Sequence, residues 1–323
     1  MRAIRLSRTG GPEVLELAEV DVPTPGPGQI LVRHTAIGVN FIDTYHRSGL
    51  YPIKLPSGLG MEAAGVVEAV GPDVGRFSKG DVVAYASGPI GAYAEFNAVA
   101  ADRAVRLPQD VTPEVAAAAL LKGMTAEFLL RRCHAVQPGE TILVHAAAGG
   151  VGSILVQWAK ALGATVIATA GGAEKLERAK ALGADHVIDY READVAAEVR
   201  RITGGKGVPV AYDSVGASTF EGTLASLARR GLFVSFGNAS GPAPPVEPGR
   251  LSRMGSLYFT RPTLFDYVAT TEELDASAAA LFDVIGSGKV RVDIGQTFPL
   301  SEARAAHEAL EARATVGASL LIP

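Results

Sequence analysis

The run Ala147-Ala148-Gly149-Gly150-Val151-Gly152 could do chemistry with almost no side chain at all. Before it, Thr141–Ala147 is apolar and β-capable. After it, Ile154, Leu155, Trp158 and Leu162 recur at helical spacing. Strand, glycine turn and helix in this order open a dinucleotide-binding unit. Glycine lets the main chain come close to a pyrophosphate, and the first helical turn offers its free N–H groups to the charge. The pattern is A-x-G-x-x-G, with Ala147 where the first glycine usually stands. The competing reading is a tight strand-to-helix turn that binds nothing.

A second stretch bears on which dinucleotide. Units selective for NAD place an Asp or Glu at the tip of the second strand, about 20 residues past the glycine turn. Here the tip reads Ala168-Thr169-Ala170-Gly171-Gly172, without an acid. That removes repulsion against a 2′-phosphate, and Lys175 follows close enough to pair with one. The alternative for Lys175 is a solvated helix charge beside Glu174 and Glu177. NADPH is the expected cofactor. Ser214, after the fourth candidate strand, and Phe236-Gly237-Asn238, after the fifth, stand at carboxyl ends of strands, where open α/β sheets bind ligands.

These residues need a scaffold. The chain has 323 residues, which predicts more than one domain. Residues 1 to about 110 hold Gly, Pro and short strand-like stretches (Ile30–His34, Ala64–Val70, Asp81–Tyr85, Ala92–Val99), a pattern of a compact β-barrel lobe. Thr112-Pro113-Glu114 is a helix start, with Thr as N-cap and Pro in the first turn, and a second helix should reach about His134. From Thr141 strands and helices alternate. The strands are Thr141–Ala147, Thr165–Ala170, His186–Asp189, Val208–Asp213, Leu232–Phe236 and Ser256–Thr260. The helices are Gly150–Leu162, Glu174–Leu182, Glu192–Ile202 and Thr219–Ala228. This predicts right-handed crossovers and a doubly wound, six-stranded parallel sheet of Rossmann type. The loop 241–245 should be irregular. The last sixty residues hold helices near Thr271–Ile285 and Ser301–Ala312 and a strand Ala318–Ile322. They show no further βαβ unit, so they should return to the first lobe. The expected division is 1–122 catalytic, 123–262 nucleotide-binding, and 263–323 catalytic again.

Composition narrows the class. Hydrophobic residues make up 48% of the chain and the net charge is −4, which argues against a general nucleic-acid grip. No apolar run reaches membrane length, and MRAIRLSRTGG lacks a signal-peptide core, so a cytoplasmic location is expected. Cys133 is the one cysteine and reads as a structural thiol. The six histidines show no metal-ligand spacing and read as surface or satisfied residues.

Several segments carry a family resemblance. They are Gly10-Gly11-Pro12-Glu13-Val14-Leu15, Gly38-Val39-Asn40-Phe41-Ile42-Asp43, Gly60-Met61-Glu62-Ala63-Ala64-Gly65, the Gly139–Lys160 signature, Asp213-Ser214-Val215-Gly216 and Arg313-Ala314-Thr315. Together they resemble quinone oxidoreductases of the zeta-crystallin type, the zinc-free branch of the medium-chain dehydrogenases/reductases, over essentially the whole chain. The resemblance implies a GroES-like barrel lobe interrupted by a Rossmann lobe, with the active site in the cleft. The zinc branch holds its metal with Cys, His and usually a second Cys. The corresponding positions here are Asn40, Met61 and the Leu121-Lys122-Gly123 region, which do not make a tetrahedral N/S site, so no metal is expected. Without a Lewis acid, a substrate that accepts hydride readily is required: a quinone, or alternatively an activated enal or enone reduced at its C=C bond. A non-enzymatic nucleotide- or RNA-binding role fits the charge poorly.

The resemblance also supplies residue roles. Asn40 and Tyr45, from the GVNFIDTYHRSG loop, would orient the acceptor carbonyl, with Tyr45 either donating a proton or forming a wall. Asp43 would bond ribose or backbone. Phe41, Thr125, Tyr190 and Arg313 would contact the cofactor, Tyr190 at the 2′-phosphate and Thr125 at the nicotinamide. For Arg313 a solvent-facing arginine beside Glu311 remains open. A homodimer joined through the Ser256–Thr260 edge strand is the expected assembly.

Overall fold

The computed structural model describes all 323 residues and divides into two compact units. The first contains Met1–Met124, Val268–Gly286 and Val292–Pro323; the second contains Thr125–Tyr267 and Ser287–Arg291.

The first unit is organised by the strand Gln29–Val39, eleven residues long and buried along most of its length. Its sequence, QILVRHTAIGV, is rich in aliphatic and β-branched residues that pack on a sheet. One side of it pairs with Glu62–Val70. The other side is shared, Phe96–Ala100 on its first half and Ala318–Ile322 on its second. Val82–Tyr85, Ala104–Arg106 and Ile294–Pro299 complete a mixed seven-stranded sheet whose ladders branch at Gln29–Val39. Ile30, Val32, Ile37, Val83, Tyr85 and Leu321 are its core. The strand expected at Ile30–His34 is thus longer than its apolar run. The one expected over Ala92–Val99 shrinks to Phe96–Ala100, because the N–H groups of Ala92 and Tyr93 bond Gly60 O and Leu59 O instead. The charged pair of strands Arg2–Arg5 and Glu16–Glu19 was not expected.

Two segments fold differently from expectation. Residues 41–48, read as loop, form a helix, Phe41–Ser48. Asp43 Oδ2 accepts the N–H of the N-cap residue Asn40 at 2.8 Å, and Gly49 ends the helix with φ of 84°. Its buried residues are Asp43, Thr44, Tyr45, His46 and Arg47, so no apolar stripe announced it. From Pro113 the chain makes one helix, Pro113–Phe128, then a wide π turn over Leu129–Cys133, rather than two helices. Thr112 Oγ1 accepts the N–H of Val115 at 3.3 Å, as a cap does. Gly123 lets the helix lie close to Leu281, whose side chain stands 2.3 Å from where a Cβ would be.

The second unit is the doubly wound sheet. Its strands are Thr141–Val144, Thr165–Ala170, His186–Asp189, Val208–Asp213, Leu227–Ser235 and Tyr258–Thr260. All pairings are parallel, in the order third, second, first, fourth, fifth, sixth. The direction of winding reverses between the first and fourth strands, which is where such sheets bind ligands. Boundaries moved where the backbone turns. The first strand stops at Val144 because Ala146 takes φ of 50°. The sixth begins only at Tyr258, after Ser256 at φ of 57°. The fifth starts early, at Leu227, with a register irregularity and Arg230 at φ of 60°. The helix expected from Glu192 begins at Val195, capped by Asp194, which accepts the N–H of Ala197 at 3.1 Å.

Candidate active site

In the second unit the glycine turn is both tight and bare. Gly149 is the N-cap of the helix Gly150–Ala161, and no side chain caps it. The N–H groups of the first helical turn therefore have no side-chain cap, as an anion site requires. The three motif positions have different jobs. A Cβ on Gly152 would fall 2.3 Å from Ala146 O and 2.9 Å from Ala147 Cα, so this glycine is demanded by the approach of helix to turn. A Cβ on Gly149 would meet only Ala146 O, at 3.2 Å, so packing alone does not explain a glycine there. Ala147 is fully buried, and its N–H bonds Thr169 O at 3.1 Å, tying the turn to the second strand. Gly150 and Val151 are half-buried.

Beneath the turn lies a closed polar network. His145 bonds Thr169 Oγ1 through Nδ1 and Thr223 Oγ1 through Nε2, both at 3.0 Å. Thr223 and Thr219 donate to Asp213 Oδ2 at 2.8 and 2.7 Å. Asp213 Oδ1 accepts the N–H groups of Val215 and Gly216. Burial lowers the His145 pKa against the opposing pull of Asp213.

The second strand ends at Ala170, and Gly171 is buried under the third strand's tail. A Cβ on Gly171 would stand 2.6 Å from Tyr190 Oη and 2.8 Å from Arg191 Nε; one on Gly172 would stand 3.1 Å from an Arg191 terminal nitrogen. Tyr190 and Arg191 thus close over the strand tip, while Lys175 lies, half-buried, in the first turn of the helix Ala173–Ala181. An acid is close by after all, on the neighbouring strand. Asp189 accepts the N–H of Gly172 at 3.1 Å and of Arg191 at 2.9 Å, so both its oxygens are engaged by main chain.

At the winding reversal, Ser214 and Phe236-Gly237-Asn238 stand side by side. A Cβ on Gly237 would be 2.3 Å from Ser214 O. Arg261 donates to Gly237 O at 3.0 Å, and Asn238 donates to the same oxygen and accepts from Arg261 at 3.2 Å. The sheet therefore brings Ala147, Gly149, Gly150, Val151, Gly152, Gly171, Lys175, Tyr190, Ser214, Phe236 and Asn238 to one edge, that of the strands' carboxyl ends. Thr125 is buried in the helix Pro113–Phe128.

In the first unit Asn40 sits at the junction of the long strand and the helix Phe41–Ser48, 5% exposed. Its side-chain N–H donates to Glu62 Oε2 at 2.8 Å. Glu62, with no exposed surface, also takes Lys122 Nζ at 3.2 Å on that oxygen and Leu121 N–H at 2.6 Å on the other. Tyr45 packs edge-on against Tyr51, ring centroids 5.2 Å apart, and 6.5 Å from Phe41. Asp43 accepts from the Tyr93 hydroxyl at 3.0 Å, Tyr93 meets His307 Nε2 at 3.0 Å, and Arg47 donates to His307 Nδ1 at 2.9 Å. Arginine can only donate, so His307 Nδ1 accepts and Nε2 carries the proton. Burial and the Arg47 charge hold the His307 pKa down to about 3, and burial pushes Asp43 up to about 7. Arg313, exposed at φ of 56°, follows the helix Ala303–Glu311.

Known proteins share this arrangement over its full length. Residues 26–109 match the alcohol dehydrogenase GroES-like domain, and residues 150–283 match the zinc-binding dehydrogenase domain. A quinone oxidoreductase of Pseudomonas aeruginosa is 53% identical over 323 residues, spanning 100% of this chain and 99% of the relative. The chain belongs to the quinone oxidoreductases of the medium-chain dehydrogenase/reductase family. The crystal structure of Escherichia coli quinone oxidoreductase complexed with NADPH matches with a TM-score of 0.99 at 51% identity, covering 100% of both chains. A 2-haloacrylate reductase of a Burkholderia species is 45% identical over 325 residues, 98% of each chain.

Membership in this family sharpens what the residues say. Although one matched domain is named for zinc, no group of three or more His, Cys, Asp and Glu is placed to hold a metal ion. Of the positions compared with zinc ligands in the sequence, Asn40 and Met61 are buried and Lys122 is paired to Glu62. Three histidines are satisfied core residues, and a fourth, His134, is paired but half-buried. His34 bonds Ala94 O and the Tyr85 hydroxyl, and burial lowers its pKa to about 4. His145 and His307 are the network members above, and His134 meets Glu140 at 3.0 Å. Arg191, Asp189, Glu62 and Tyr51 escaped the sequence reading. Arg191 was legible in principle, being adjacent to Tyr190; Glu62 lies in the quoted Gly60-Met61-Glu62 segment but signals nothing without its partners.

Proposed function

We propose that this protein is an NADPH-dependent quinone oxidoreductase that works without a metal. The observation that carries the reading is the edge of the parallel sheet: an uncapped helix behind a bare glycine turn, beside a strand tip with no acid of its own and the cations Lys175 and Arg191. When bound, NADPH supplies a hydride. The chain's part is to bind, orient and keep out water. The N–H groups of residues 150–152 take the pyrophosphate, with Ala147 and Gly149 leaving room for it. Gly171, Lys175, Tyr190 and Arg191 take the 2′-phosphate. Thr125, Ser214, Phe236 and Asn238 take the nicotinamide half, and Phe41 and Arg313 are the remaining cofactor residues. In this scheme the second unit is the cofactor domain and the first the catalytic one.

Asn40 and Tyr45 orient the acceptor. One amide hydrogen of Asn40 is committed to Glu62 and the amide oxygen faces the Asp43 N–H in a capping box, so the other hydrogen remains to meet a ligand. The edge-on packing of Tyr45 against Tyr51 favours Tyr45 as a wall over Tyr45 as a proton donor. A quinone that accepts hydride becomes a hydroquinone anion, which water can protonate, so no strong general acid is required.

A second reading, reduction of an activated C=C bond, is favoured by the likeness to the 2-haloacrylate reductase. Steady-state NADPH oxidation across small quinones, enals and alcohols separates the readings. Quinones should turn over fastest, alcohols not at all, and a chelator should leave the rate unchanged. Preference for enals over every quinone would overturn the first reading, and rate loss with release of one zinc per chain would overturn its metal-free form.

Assembly as a homodimer completes the proposal. The strand Tyr258–Thr260 ends the sheet, and Tyr258 is 62% exposed. An open edge invites pairing, and a two-fold axis would let the same strand of a second copy cover it. Light scattering in dilute solution should give the dimer mass, and an active monomer would refute the paired edge. No helix is long and apolar enough to cross a membrane, in keeping with action in the cytoplasm.

A further inference from the structure

Glu62 and Lys122 are both buried and are each other's only counter-charge within hydrogen-bond distance, at 3.2 Å. Burying such a pair is costly, and removing one partner costs more than the pair gains. The site is also shaped around the carboxylate. A Cβ on Gly38 would lie 2.2 Å from Glu62 Oε2 and 2.4 Å from Ala117 O, so the long strand is bare where Glu62 lies against it. An ionised carboxylate only accepts hydrogen bonds. It can therefore be met only by the NH2 end of the Asn40 amide, as it is at 2.8 Å. A protonated carboxyl could also donate, and would accept either end of the amide.

We infer that Lys122 and Glu62 are positioning residues that fix which end of the Asn40 amide is turned away from Glu62. Lys122 keeps a counter-charge against the carboxylate, and the carboxylate holds the amide. The step from this orientation to turnover rests on the proposal that Asn40 meets the acceptor. Without the ammonium, the buried carboxylate loses its counter-charge and one of its three donors, and its hold on the amide loosens, leaving the capping box with Asp43 as the other restraint.

The chain has three asparagines, Asn40, Asn97 and Asn238. Selective 15N labelling therefore gives three side-chain amide pairs by NMR, with Asn40→Ala assigning the one of interest. In Lys122→Met and in Glu62→Gln the Asn40 pair should shift or broaden, while the other two stay in place and report an intact fold. Lys122→Arg should restore it. NADPH affinity should change less than about twofold, while kcat/KM for a small quinone falls about tenfold or more, ~1.4 kcal/mol. An Asn40 signal unchanged in both folded variants overturns the inference, whatever the rates do. If Lys122→Met does not fold, Glu62→Gln carries the same decision. An amide that moves while quinone kinetics do not sustains the inference and sinks instead the placement of Asn40 at the acceptor.

Discussion

The glycine turn at 147–152 and the cluster around Glu62 solve the problem of a charged site in opposite ways. The turn presents main chain and leaves it unoccupied: Gly149 has no side-chain cap and only one near neighbour for a Cβ. The cluster is filled at Glu62, which accepts three protein donors over its two oxygens, while Asp43 takes both of its donors on Oδ2 and leaves a buried Oδ1 without a partner. An open set of N–H groups suits a ligand that brings its own negative charge and leaves again. A saturated set suits side chains that must hold one orientation without a ligand.

The sharpest way to break this contrast is at Gly152. Gly152→Val drives a branched side chain into Ala146 O and Ala147 Cα, both main chain, at 2.3 and 2.9 Å for the Cβ alone. Overpacking of this kind costs about 1–3 kcal/mol or more, so melting temperature and NADPH binding should fall together. Gly149→Ala should fold normally and weaken NADPH alone. Equal thermal losses in the two variants would mean that the turn is packed rather than open.

Acid titration probes the buried cluster. His34 and His307, held neutral by burial at about 4 and about 3 against an ordinary 6.5, contribute stability that is present above 6.5 and lost as pH falls through those values. Asp43 runs the other way: raised to about 7 from 3.8, it contributes stability present below 3.8 and lost as pH rises through about 7. Denaturant midpoints between pH 7 and 4 should therefore drop more steeply in Asp43→Asn than in the parent, by roughly 3 kcal/mol at ~1.4 kcal/mol per pKa unit. Parallel profiles would show that Asp43 is not held against its charge.

Smaller again are the cofactor-selective changes. Lys175→Ala should weaken NADPH about tenfold to a hundredfold and leave NADH nearly unchanged, because charge-assisted bonds to phosphate contribute ~1.5–3 kcal/mol. Arg191→Ala, on the other side of the strand tip, should do the same by about threefold to tenfold. Titrations with both nucleotides decide it; equal losses for the two would mean that neither cation reads the phosphate.

How much of this was legible follows from sequence separation. The glycine turn, its strand and its helix occupy about twenty consecutive residues, and the alternation of six strands with helices repeats a local pattern, so periodicity and turn chemistry exposed both. The helix Phe41–Ser48 was hidden because its buried face is polar. The second strand's tip was read correctly as free of acid, yet Asp189 arrives from the next strand with both oxygens already taken by main chain.

By itself the sequence determined the order of elements, the glycines at 149, 150 and 152, the acid-free tip at Gly171 and Gly172, and the residue types Asn40, Met61 and Lys122, none of them Cys or His. Those are statements about residue type and local spacing, which a chain carries before it folds. Only the tertiary structure decided that Asn40, Glu62 and Lys122 form one cluster, that His307 reaches Asp43 through Tyr93, and that Arg191 closes over Gly171. Glu62 and Lys122 are 60 residues apart and Arg47 and His307 are 260 apart. Contacts of that span are set by sheet register and helix packing, and no local propensity encodes them.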